Sequence, residues 1–379
     1  MHRTNRKAPY LLTPGPVITS PDVKQALSHD LSPMADPVVS ITREARRYLL
    51  EIAGAGPNRV CVPLQGSATY GVEAALRGLV PAGGRVLVVV NGFYGQRLRE
   101  VAEAIGRDVV AIELPMLPEG MPGEVETALE LDPNITHLAL CHCETGTGVI
   151  NPVEEVAAVA RRRGIGVILD AVASFGALDV DMEALSVDAL IVSPNKCLEA
   201  VPGICFVLLA RETLVTSAGS YGSYALDLHD QWCHMEATGF WRCTPPTHVI
   251  AAFGAAIGRH KDEGGVSARV ARYWRNWSIL VHGLRERGFA TLLPDGVAAP
   301  IVATFHDPPD PRYSFPAFYA GMERRGVVVF PGRLTAAKTF RIGCMGDLDE
   351  DDMRFIVHAV DSTITELGVV RRAPPGPHA

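Results

Sequence analysis

Short runs of valine, isoleucine and leucine recur between residues 60 and 209, and segments with helical spacing of apolar positions separate most of them. The runs are apolar at nearly every position, which is typical of strands buried on both faces of a mostly parallel sheet. The predicted strands are 60–64, 85–90, 108–114, 137–143, 166–171, 189–192 and 204–209. The predicted helices are 38–53, 70–79, 94–105, 123–130 and 153–163. This alternation predicts a doubly wound α/β domain.

The carboxyl-terminal part of the chain has a different pattern. Two long helical patterns, 246–261 and 266–287, separate it from the first region. Beyond them, two helix-like stretches are mixed with apolar runs at 301–305, 327–330 and 339–342. This order predicts a smaller α+β domain.

These patterns divide the chain into four parts. We expect a large domain over 21–265 and a small domain over 266–370. Residues 1–20 are predicted to pack against the small domain. The proline-rich, basic segment 371–379 is predicted to be a disordered tail.

The bulk composition argues against several classes of function. A net charge of −7 argues against nucleic acid as a main partner. No apolar run approaches the length of a membrane-spanning helix, and no apolar segment follows the basic amino end. Neither a membrane protein nor a signal peptide is therefore predicted. The eight cysteines lie mostly in apolar runs, which indicates reduced, buried thiols and a cytoplasmic protein.

Cys141, His142 and Cys143 are residue types that bind metals. On a strand, however, residues i and i+2 share one face and the middle residue points to the other. No second pair of cysteines or histidines with metal-ligand spacing completes a four-coordinate site. Core packing is favoured, and no metal is predicted.

Asp170 and Lys196 carry the main chemical signal. Each follows an apolar run, and 25 residues separate them. A buried carboxylate is costly unless a cation pairs with it. A pyridoxal-phosphate enzyme needs this pair, because a lysine amine binds the cofactor aldehyde covalently and an aspartate pairs with the protonated pyridine nitrogen. Without Lys196, the default interpretation of Asp170 would be a helix cap.

The segment 65–70 (QGSATY) follows a predicted strand and opens a helix. Backbone N–H groups at the helix start, together with the hydroxyls of Ser67 and Thr69, suit a phosphate dianion. Alone, such a turn is an ordinary helix cap. Followed by Asp170 and Lys196, it is predicted to hold the cofactor phosphate.

Two further strand ends offer residues for the cofactor ring. Tyr94, in the turn 91–97, is predicted to lie flat on the ring, whose face suits an aromatic side chain. Thr145, just after the strand 137–143, is predicted to hydrogen-bond the phenolic oxygen of the ring. The neighbouring Glu144 is either a supporting carboxylate or a solvated loop residue, and both interpretations stay open.

Two later segments offer groups for anions. The segment 241–248 precedes a helix and is predicted to place Thr244 or Thr247 on a phosphate, either in the same subunit or across a subunit boundary. Arg341 lies in the apolar run 339–342, and a guanidinium fork there suits a carboxylate or a phosphonate. Its apolar flanks distinguish Arg341 from an ordinary surface arginine.

On these residues, the chain resembles the 2-aminoethylphosphonate:pyruvate aminotransferases, which are fold type I, class V pyridoxal-phosphate enzymes. The resemblance spans nearly the whole chain. The matching segments are LLTPGP at 11–16, LQGS at 64–67, NGFYG at 91–95, NKCLE at 195–199, VPG at 201–203, LDL at 226–228, PI at 300–301, FPG at 330–332 and FRIG at 340–343. The resemblance implies a seven-stranded, mostly parallel sheet in the large domain and a homodimer with active sites at the interface.

The resemblance also implies a reaction and residue roles. The family moves the amino group of 2-aminoethylphosphonate to pyruvate, giving phosphonoacetaldehyde and alanine. Lys196 would anchor the cofactor, Asp170 would pair with the pyridine nitrogen, and Arg341 would hold the substrate acid group. The residues implied at the phosphate are Ser67, Ala68, Thr69, Asn195 and, from the other subunit, Thr244.

Several positions depart from the family pattern. Ala68 replaces an expected glycine, Ala173 replaces a usual serine, and the segment 28–36 differs. The segment 220–225 (SYGSYA) has bulky residues and no arginine. If 220–225 contacts the phosphonate, the substrate is a hydroxylated or substituted aminophosphonate, or the enzyme acts in phosphonate biosynthesis.

Three alternatives remain open from the sequence. The chain is an alanine–glyoxylate or serine–pyruvate type of aminotransferase, a catalytically silent cofactor-binding protein, or a lyase or desulfurase. A desulfurase needs a catalytic cysteine on a mobile loop, and Cys233 is the loop-like candidate. The intact Asp170 and Lys196 argue against a silent protein.

Overall fold

The computed structural model describes residues 9–331, 337–370 and 372. The strands are β1 (Tyr10–Leu11), β2 (Arg59–Gln65), β3 (Arg85–Val90), β4 (Asp108–Glu113), β5 (Ile135–Cys141), β6 (Cys143–Glu144), β7 (Val149–Ile150), β8 (Gly166–Asp170), β9 (Ala189–Val192), β10 (Ile204–Ala210), β11 (Val302–His306), β12 (Val327–Val328), β13 (Phe330–Pro331) and β14 (Thr339–Gly343). The helices are α1 (Pro21–Ala26), α2 (Asp36–Ile52), α3 (Ala68–Leu79), α4 (Phe93–Ala104), α5 (Met121–Leu131), α6 (Val153–Arg162), α7 (Met182–Leu185), α8 (Arg211–Thr216), α9 (Leu228–Thr238), α10 (Thr247–Glu263), α11 (Gly265–Arg285), α12 (Phe315–Arg324) and α13 (Glu350–Glu366).

A seven-stranded sheet with the order β2-β10-β9-β8-β5-β3-β4 forms the centre of the fold. All seven strands predicted from the apolar runs are present. Strand β10 is antiparallel to both of its neighbours, and the remaining pairs are parallel. The predicted α/β fold with a mostly parallel sheet is therefore confirmed.

The strands are apolar throughout because successive side chains pack into two different hydrophobic cores, one on each face of the sheet. In β3, Leu87 and Val89 pack in the core on one face of the sheet, whereas Val86 and Val88 pack in the core on the other face. Successive side chains of a strand point to opposite faces, so helices covering both faces require apolar residues at every position.

The parallel order brings six strand ends to one edge of the sheet. Strands β2, β3, β4, β5, β8 and β9 all run in the same direction, with β2 related to β9 through the antiparallel β10. In sheets of this type, ligands bind outside the carboxyl ends of the strands. The turns that follow β2, β3, β5, β8 and β9 carry most of the residues singled out from the sequence.

The rest of the chain builds a second core. A three-stranded antiparallel sheet, β11-β14-β13, packs with α11, α12 and α13, and β1 pairs in parallel with β12. Helices α10 and α11 are separated at Gly264 and Gly265, whose φ angles of 109° and 72° lie in the left-handed region. The run predicted as one strand over 327–330 is instead two short strands, because Val329 interrupts the pairing.

The domain boundaries at 20, 265 and 370 stay a prediction. The predicted tail, 371–379, lies outside the described residues except for Arg372. Of the helices in the described ranges, none combines the length and apolar character needed to cross a lipid bilayer.

Candidate active site

Lys196 follows β9, and its side chain contacts the amino-terminal segment of the chain at Pro14. Its Nζ donates a hydrogen bond to the carbonyl oxygen of Pro14 at 2.9 Å. Any side chain at position 15 would overlap the Lys196 side chain, so Gly15, at φ 119°, is needed for this close approach. Burial lowers the pKa of Lys196 to about 8, and the charges of Arg97 and Arg341 add to this effect. The surroundings thus give this amine a larger neutral fraction near neutral pH than an ordinary lysine has.

Asp170 ends β8, one strand away from Lys196 in the sheet. Its Oδ1 accepts the backbone N–H of Val172 at 2.9 Å, and its carboxylate is also hydrogen-bonded to the thiol of Cys141. Burial raises the pKa of Asp170, whereas the charges of Arg97 and Lys196 oppose the rise. An ionised carboxylate in this position requires a nearby cation.

Glu144 lies after β5 and is fully buried. Its Oε1 accepts the backbone N–H of Gly95 at 2.6 Å, and its Oε2 accepts that of Tyr94 at 3.0 Å. These two N–H groups belong to the first turn of α4, where a helix has unpaired donors and favours negative charge. The interpretation of Glu144 as a solvated loop residue is therefore wrong. Burial raises its pKa to about 7, despite the two hydrogen bonds.

Thr145 and Arg341 meet at the same edge. Arg341 on β14 is buried, and its Nη1 donates to the carbonyl oxygen of Thr145 at 2.6 Å while its Nε donates to that of Pro331 at 3.0 Å. These bonds fix the plane of the guanidinium group. The Thr145 hydroxyl is itself buried and has no hydrogen-bond partner within the described part of the chain. A buried hydroxyl without a partner is costly unless a ligand supplies one.

The predicted phosphate turn lies where β2 passes into α3. Ser67 is the N-cap of α3, yet its side chain makes no capping hydrogen bond to the described residues. Gly66, at φ 129°, brings the turn against the ring of Tyr70. Asn195, beside Lys196, accepts a hydrogen bond from the Ser193 hydroxyl at its Oδ1. The first turn of α3, with Ala68 and Thr69, thus offers helix-terminal N–H groups to an anion.

Thr244 lies in the segment between α9 and α10. It is exposed and lines a cavity of about 540 Å³, whose other walls include Gln65, Gly66 and residues 223–227. Thr247, the alternative to Thr244, is buried in the first turn of α10.

In the segment 220–225, which departs from the family pattern, the side chain of Tyr221 packs into the hydrophobic core. The Tyr221 ring is buried against Gly78 of α3, and its hydroxyl lies 2.9 Å from that of Ser217. Tyr224 is exposed, with the guanidinium of Arg242 over its ring. The bulk at Tyr221 therefore fills the space beside a glycine of α3.

Sequence reasoning missed a buried ionic network behind Lys196. The Glu199 carboxylate, at Oε1, accepts hydrogen bonds from Arg272 Nη2 at 2.8 Å, Tyr273 hydroxyl at 2.7 Å and Gly346 N–H at 3.1 Å. Arg269, which is 1% exposed, donates to the carbonyl oxygen of Cys197. The network thereby joins the segment after Lys196 to α11 and to the loop after β14.

Three further residues near Lys196 were assigned no role from the sequence: Arg97, Pro14 and Gly15. Arg97 of α4 acts electrostatically on Asp170, Glu144 and Lys196. Its guanidinium carbon lies 5.0 Å from the centroid of the Tyr94 ring. Pro14 and Gly15 were visible as part of a Thr-Pro-Gly-Pro turn, but their contact with Lys196 spans more than 180 residues and has no local signal.

These observations test whether pyridoxal phosphate fits the site. The buried Thr145 hydroxyl lacks a partner among the described residues, and Ser67 caps α3 without using its side chain. Burial raises the pKa of Asp170 despite the charges of Arg97 and Lys196, so a further cation would stabilise its carboxylate. A phenolic oxygen, a phosphate and a pyridinium would meet these three requirements. The residues present therefore fit the cofactor.

Comparison with known proteins defines the class. A family model described as aminotransferase class-V matches residues 24–303. The chain therefore belongs to the class V aminotransferase family. A 2-aminoethylphosphonate–pyruvate transaminase of Cupriavidus taiwanensis is 46% identical over 364 residues, which cover 95% of this chain and 96% of that relative. A protein of the same name from Pseudomonas aeruginosa is 43% identical and covers 97% of this chain and 99% of its own length.

Solved structures agree on the fold. A ureidoglycine–glyoxylate aminotransferase from Bacillus subtilis superposes with a TM-score of 0.87 at 22% identity, covering 97% of this chain and 95% of the other. A pyridoxamine–pyruvate aminotransferase from Mesorhizobium loti superposes with a TM-score of 0.86 at 24% identity, with the same two coverages. The resemblance drawn from the sequence, the fold class and pyridoxal phosphate as the cofactor are confirmed.

Proposed function

We propose that the protein transfers the amino group of 2-aminoethylphosphonate, or of a close aminophosphonate, to pyruvate, giving phosphonoacetaldehyde and alanine. The nearly full-length identity to two transaminases named for this reaction supports the proposal. The observation that carries it is that Lys196, whose pKa is lowered to about 8, lies at the same edge of the sheet as the half-buried Asp170 and the buried Arg341.

Lys196 acts as the anchor for the cofactor and as the group that moves the substrate proton. A pKa of about 8 gives its Nζ a larger neutral fraction near neutral pH than an ordinary lysine has. An amine must be neutral both to attack an aldehyde and to accept a proton. When pyridoxal phosphate is bound, it supplies an electron sink for the carbon beside the substrate amine.

The remaining residues of the site are proposed to bind the ring and the phosphate of the cofactor, so that its aldehyde lies next to Lys196. Asp170 would pair with the pyridine nitrogen and favour its protonated form. The Thr145 hydroxyl, which has no hydrogen-bond partner among the described residues, would donate to the phenolic oxygen, and Tyr94 would contact the ring. The residues that would hold the phosphate are Ser67, Ala68, Thr69, Asn195 and Thr244.

Arg341 holds the acid group of both substrates. A phosphonate and a carboxylate each accept paired N–H bonds from a guanidinium, and the two backbone carbonyls bonded to Arg341 fix its orientation. Because amino donor and acceptor bind in turn, one arginine serves both half-reactions. The charge of Arg341 also lowers the pKa of Lys196, which places the two groups within electrostatic reach.

We also propose that the active protein is a cytoplasmic homodimer with active sites at the interface. Thr244 is exposed, which suits a residue that reaches the phosphate of the other subunit. All eight cysteines are free thiols and six of them are buried, which suits a reducing compartment. The molecular mass measured by light scattering would test the dimer.

Initial rates with different amino donors test the proposed reaction. The initial rates of the holoenzyme are measured with three amino donors: 2-aminoethylphosphonate, serine and alanine. Pyruvate is the acceptor for the first two donors, and glyoxylate is the acceptor for alanine. The proposal predicts the highest kcat/KM with 2-aminoethylphosphonate and equal amounts of alanine and phosphonoacetaldehyde as products. A carboxylate donor with the higher kcat/KM would overturn it. Lys196→Ala serves as the control for activity from contaminating enzymes.

A further inference from the structure

Glu199 lies three residues after Lys196 and has a backbone conformation that is rare for its residue type. Its φ angle of 55° lies in the left-handed region, which is unfavourable for a residue with a Cβ atom. The residue is also 7% exposed, so its charge is buried. We propose that Glu199 is a positioning residue that fixes Lys196 relative to Arg341, an inference that rests on the roles proposed above for these two residues.

The turn that carries Lys196 is closed by backbone hydrogen bonds. The N–H of Glu199 donates to the carbonyl oxygen of Lys196 at 2.9 Å, and the N–H of Ala200 donates to that of Pro194 at 2.9 Å. The first bond defines a β-turn over residues 196–199, whose last residue has the left-handed φ angle. The direction in which Lys196 leaves the backbone therefore depends on the conformation of Glu199.

The Glu199 carboxylate attaches this turn to the loop that follows β14. Its Oε1 accepts the backbone N–H of Gly346 at 3.1 Å and Nη2 of Arg272 at 2.8 Å. Nη1 of Arg272 donates to the carbonyl oxygen of Gly346 at 2.6 Å. The three groups form a closed triangle that binds both backbone polar groups of Gly346. Because β14 carries Arg341, the triangle connects the lysine turn to the strand of the proposed substrate arginine.

The same loop holds the segment that contacts the amine of Lys196. Two backbone N–H groups within the range 343–347 donate to the carbonyl oxygens of Leu12 and Ile18, at 2.9 and 2.8 Å. Between these two attachments lies Pro14, whose carbonyl oxygen accepts Nζ of Lys196. The backbone and the amine of Lys196 are thus both connected to the loop after β14.

Ion pairing alone accounts for only part of this arrangement. Arg269 and Arg272 both pair with Glu263 of α10, each at 2.8 Å, so these arginines have a carboxylate partner outside the lysine turn. Glu263 fulfils that role from a helix, without a left-handed backbone. Pairing therefore does not explain a second carboxylate at an unfavourable φ angle beside Lys196. Such backbone strain persists where surrounding contacts hold it, commonly at functional sites.

The position of the turn also determines how deeply the amine of Lys196 is buried. Burial is the largest cause of its lowered pKa of about 8. If the turn loosens, water reaches the amine and its pKa rises towards the ordinary value of 10.5. Loss of the negative charge of Glu199 acts in the opposite direction, because a nearby carboxylate favours the protonated amine. A positioning role and a purely electrostatic role thus predict pKa shifts of opposite sign.

The pH dependence of cofactor binding to the apoenzyme separates the two roles. Only the neutral amine attacks the aldehyde, so the second-order rate constant between about pH 6 and about pH 10 reports the pKa of Lys196. We predict a higher pKa in Glu199→Ala than in the wild type. Glu199→Gln keeps an oxygen that accepts from Gly346, and its pKa is expected to be no higher than that of the wild type.

A matched control separates positioning from a general loss of stability. Asp310 is also a buried carboxylate, and it accepts N–H groups of Arg312 and Val370 in the second core region. Asp310→Asn is expected to lower the stability and to keep the wild-type pKa of Lys196. Glu199→Gly removes the same carboxylate from a residue type that favours the left-handed region, so it provides the same test if Glu199→Ala does not fold.

Steady-state kinetics gives a second readout, with the amino donor that the wild type uses best. A displacement of about 1 Å at a reacting group costs about a hundredfold in rate, so kcat/KM of Glu199→Ala is expected to fall about 10–100-fold. Glu199→Gln is expected to retain most of it. A Lys196 pKa in Glu199→Ala at or below the wild-type value, or equal impairment of Glu199→Gln and Glu199→Ala, would overturn the proposal. The pKa is measured without an amino donor, so a wrong assignment of the donor would leave this test intact.

Discussion

Glu144 binds the backbone N–H of Gly95 at 2.6 Å and thereby joins the end of β5 to the start of α4. Its second oxygen binds the neighbouring Tyr94 in the same way. The carboxylate thus fixes the helix turn that carries the aromatic side chain proposed to cover the cofactor ring. A buried carboxylate holds this turn at a cost, because ionisation in a buried site is unfavourable.

This burial predicts a specific pH dependence of stability. The folded-state pKa of Glu144 is about 7, above the usual 4.5 of the unfolded chain. The folded protein therefore binds the proton more tightly, and the corresponding stability is present below pH 4.5 and is lost as the pH rises through about 7. Glutamine does not titrate, so Glu144→Gln removes this pH-dependent contribution to the free energy of unfolding, which amounts to about 3 kcal/mol.

The measurement is the free energy of unfolding of wild type and Glu144→Gln at several pH values between about 5 and about 8. The difference between the two proteins is expected to shift in favour of the variant as the pH rises. Glu100→Gln, an exposed change on the same helix, is expected to leave the pH slope unaltered. A Glu144→Gln variant with the pH slope of the wild type would contradict this account.

Arg341→Lys tests the proposed substrate contact. Lysine keeps the positive charge but cannot form the paired N–H bonds of a guanidinium, nor both contacts with the Thr145 and Pro331 carbonyls. We expect the KM for 2-aminoethylphosphonate and for pyruvate to rise about tenfold or more, which is about 1.4 kcal/mol per tenfold.

Steady-state kinetics with each substrate varied in turn provides the measurement. Arg354→Lys on the exposed side of α13 is the control and is expected to keep both KM values. Unchanged KM values in Arg341→Lys, with only kcat reduced, would remove Arg341 from substrate binding.

Two arginines of helix α11 are predicted to differ sharply in their effect on stability. Arg269 is buried between Glu263 and the Cys197 carbonyl, so Arg269→Leu removes one of the two arginines that pair with Glu263 and Glu199 and leaves the Cys197 carbonyl without this donor. A destabilisation of about 3–5 kcal/mol is expected from such a change. Arg275 pairs with Glu350 at the surface at 3.5 Å, and Arg275→Leu is expected to cost less than about 1 kcal/mol. Denaturant unfolding of both variants checks the contrast, and equal losses would refute it.

Two helical glycines are predicted to respond to alanine with opposite signs. A methyl group at Gly78 would overlap the buried ring of Tyr221, so Gly78→Ala is expected to destabilise the protein by about 1–3 kcal/mol. Gly258 lies inside α10 with open space around it, so Gly258→Ala is expected to stabilise by about 0.5–1 kcal/mol. Thermal unfolding of the two variants measures both effects. A Gly78→Ala variant as stable as the wild type would contradict the packing described for Tyr221.

The sequence predicted those parts of the molecule that have a local signal. The seven strands of the large sheet were found because burial on both faces leaves a continuous apolar run, as in β3. The turns after β2, β3, β5, β8 and β9 were singled out because residue types that suit the cofactor directly follow apolar runs there. The start of α2 was predicted two residues late, since Pro37 lies in its first turn and is compatible with a helix only there.

Features that depend on distant contacts had no such signal. Pro14 meets Lys196 across 182 positions of the chain, and Glu199 meets Gly346 across 147. Whether Glu144 was solvated or buried depended on the packing of α4 against β5, which no residue near Glu144 reveals. The inward side chain of Tyr221 likewise depends on Gly78, far away in the sequence.

The most direct test of the central claim is the position of the cofactor bond. The chain has five lysines: Lys7, Lys24, Lys196, Lys261 and Lys338. Reduction of the holoenzyme with borohydride, followed by digestion and mass spectrometry, reports which of them carries the cofactor. We predict a pyridoxyl adduct on Lys196 and none on the other four. An adduct on another lysine, or on no lysine at all, would contradict the account of the site.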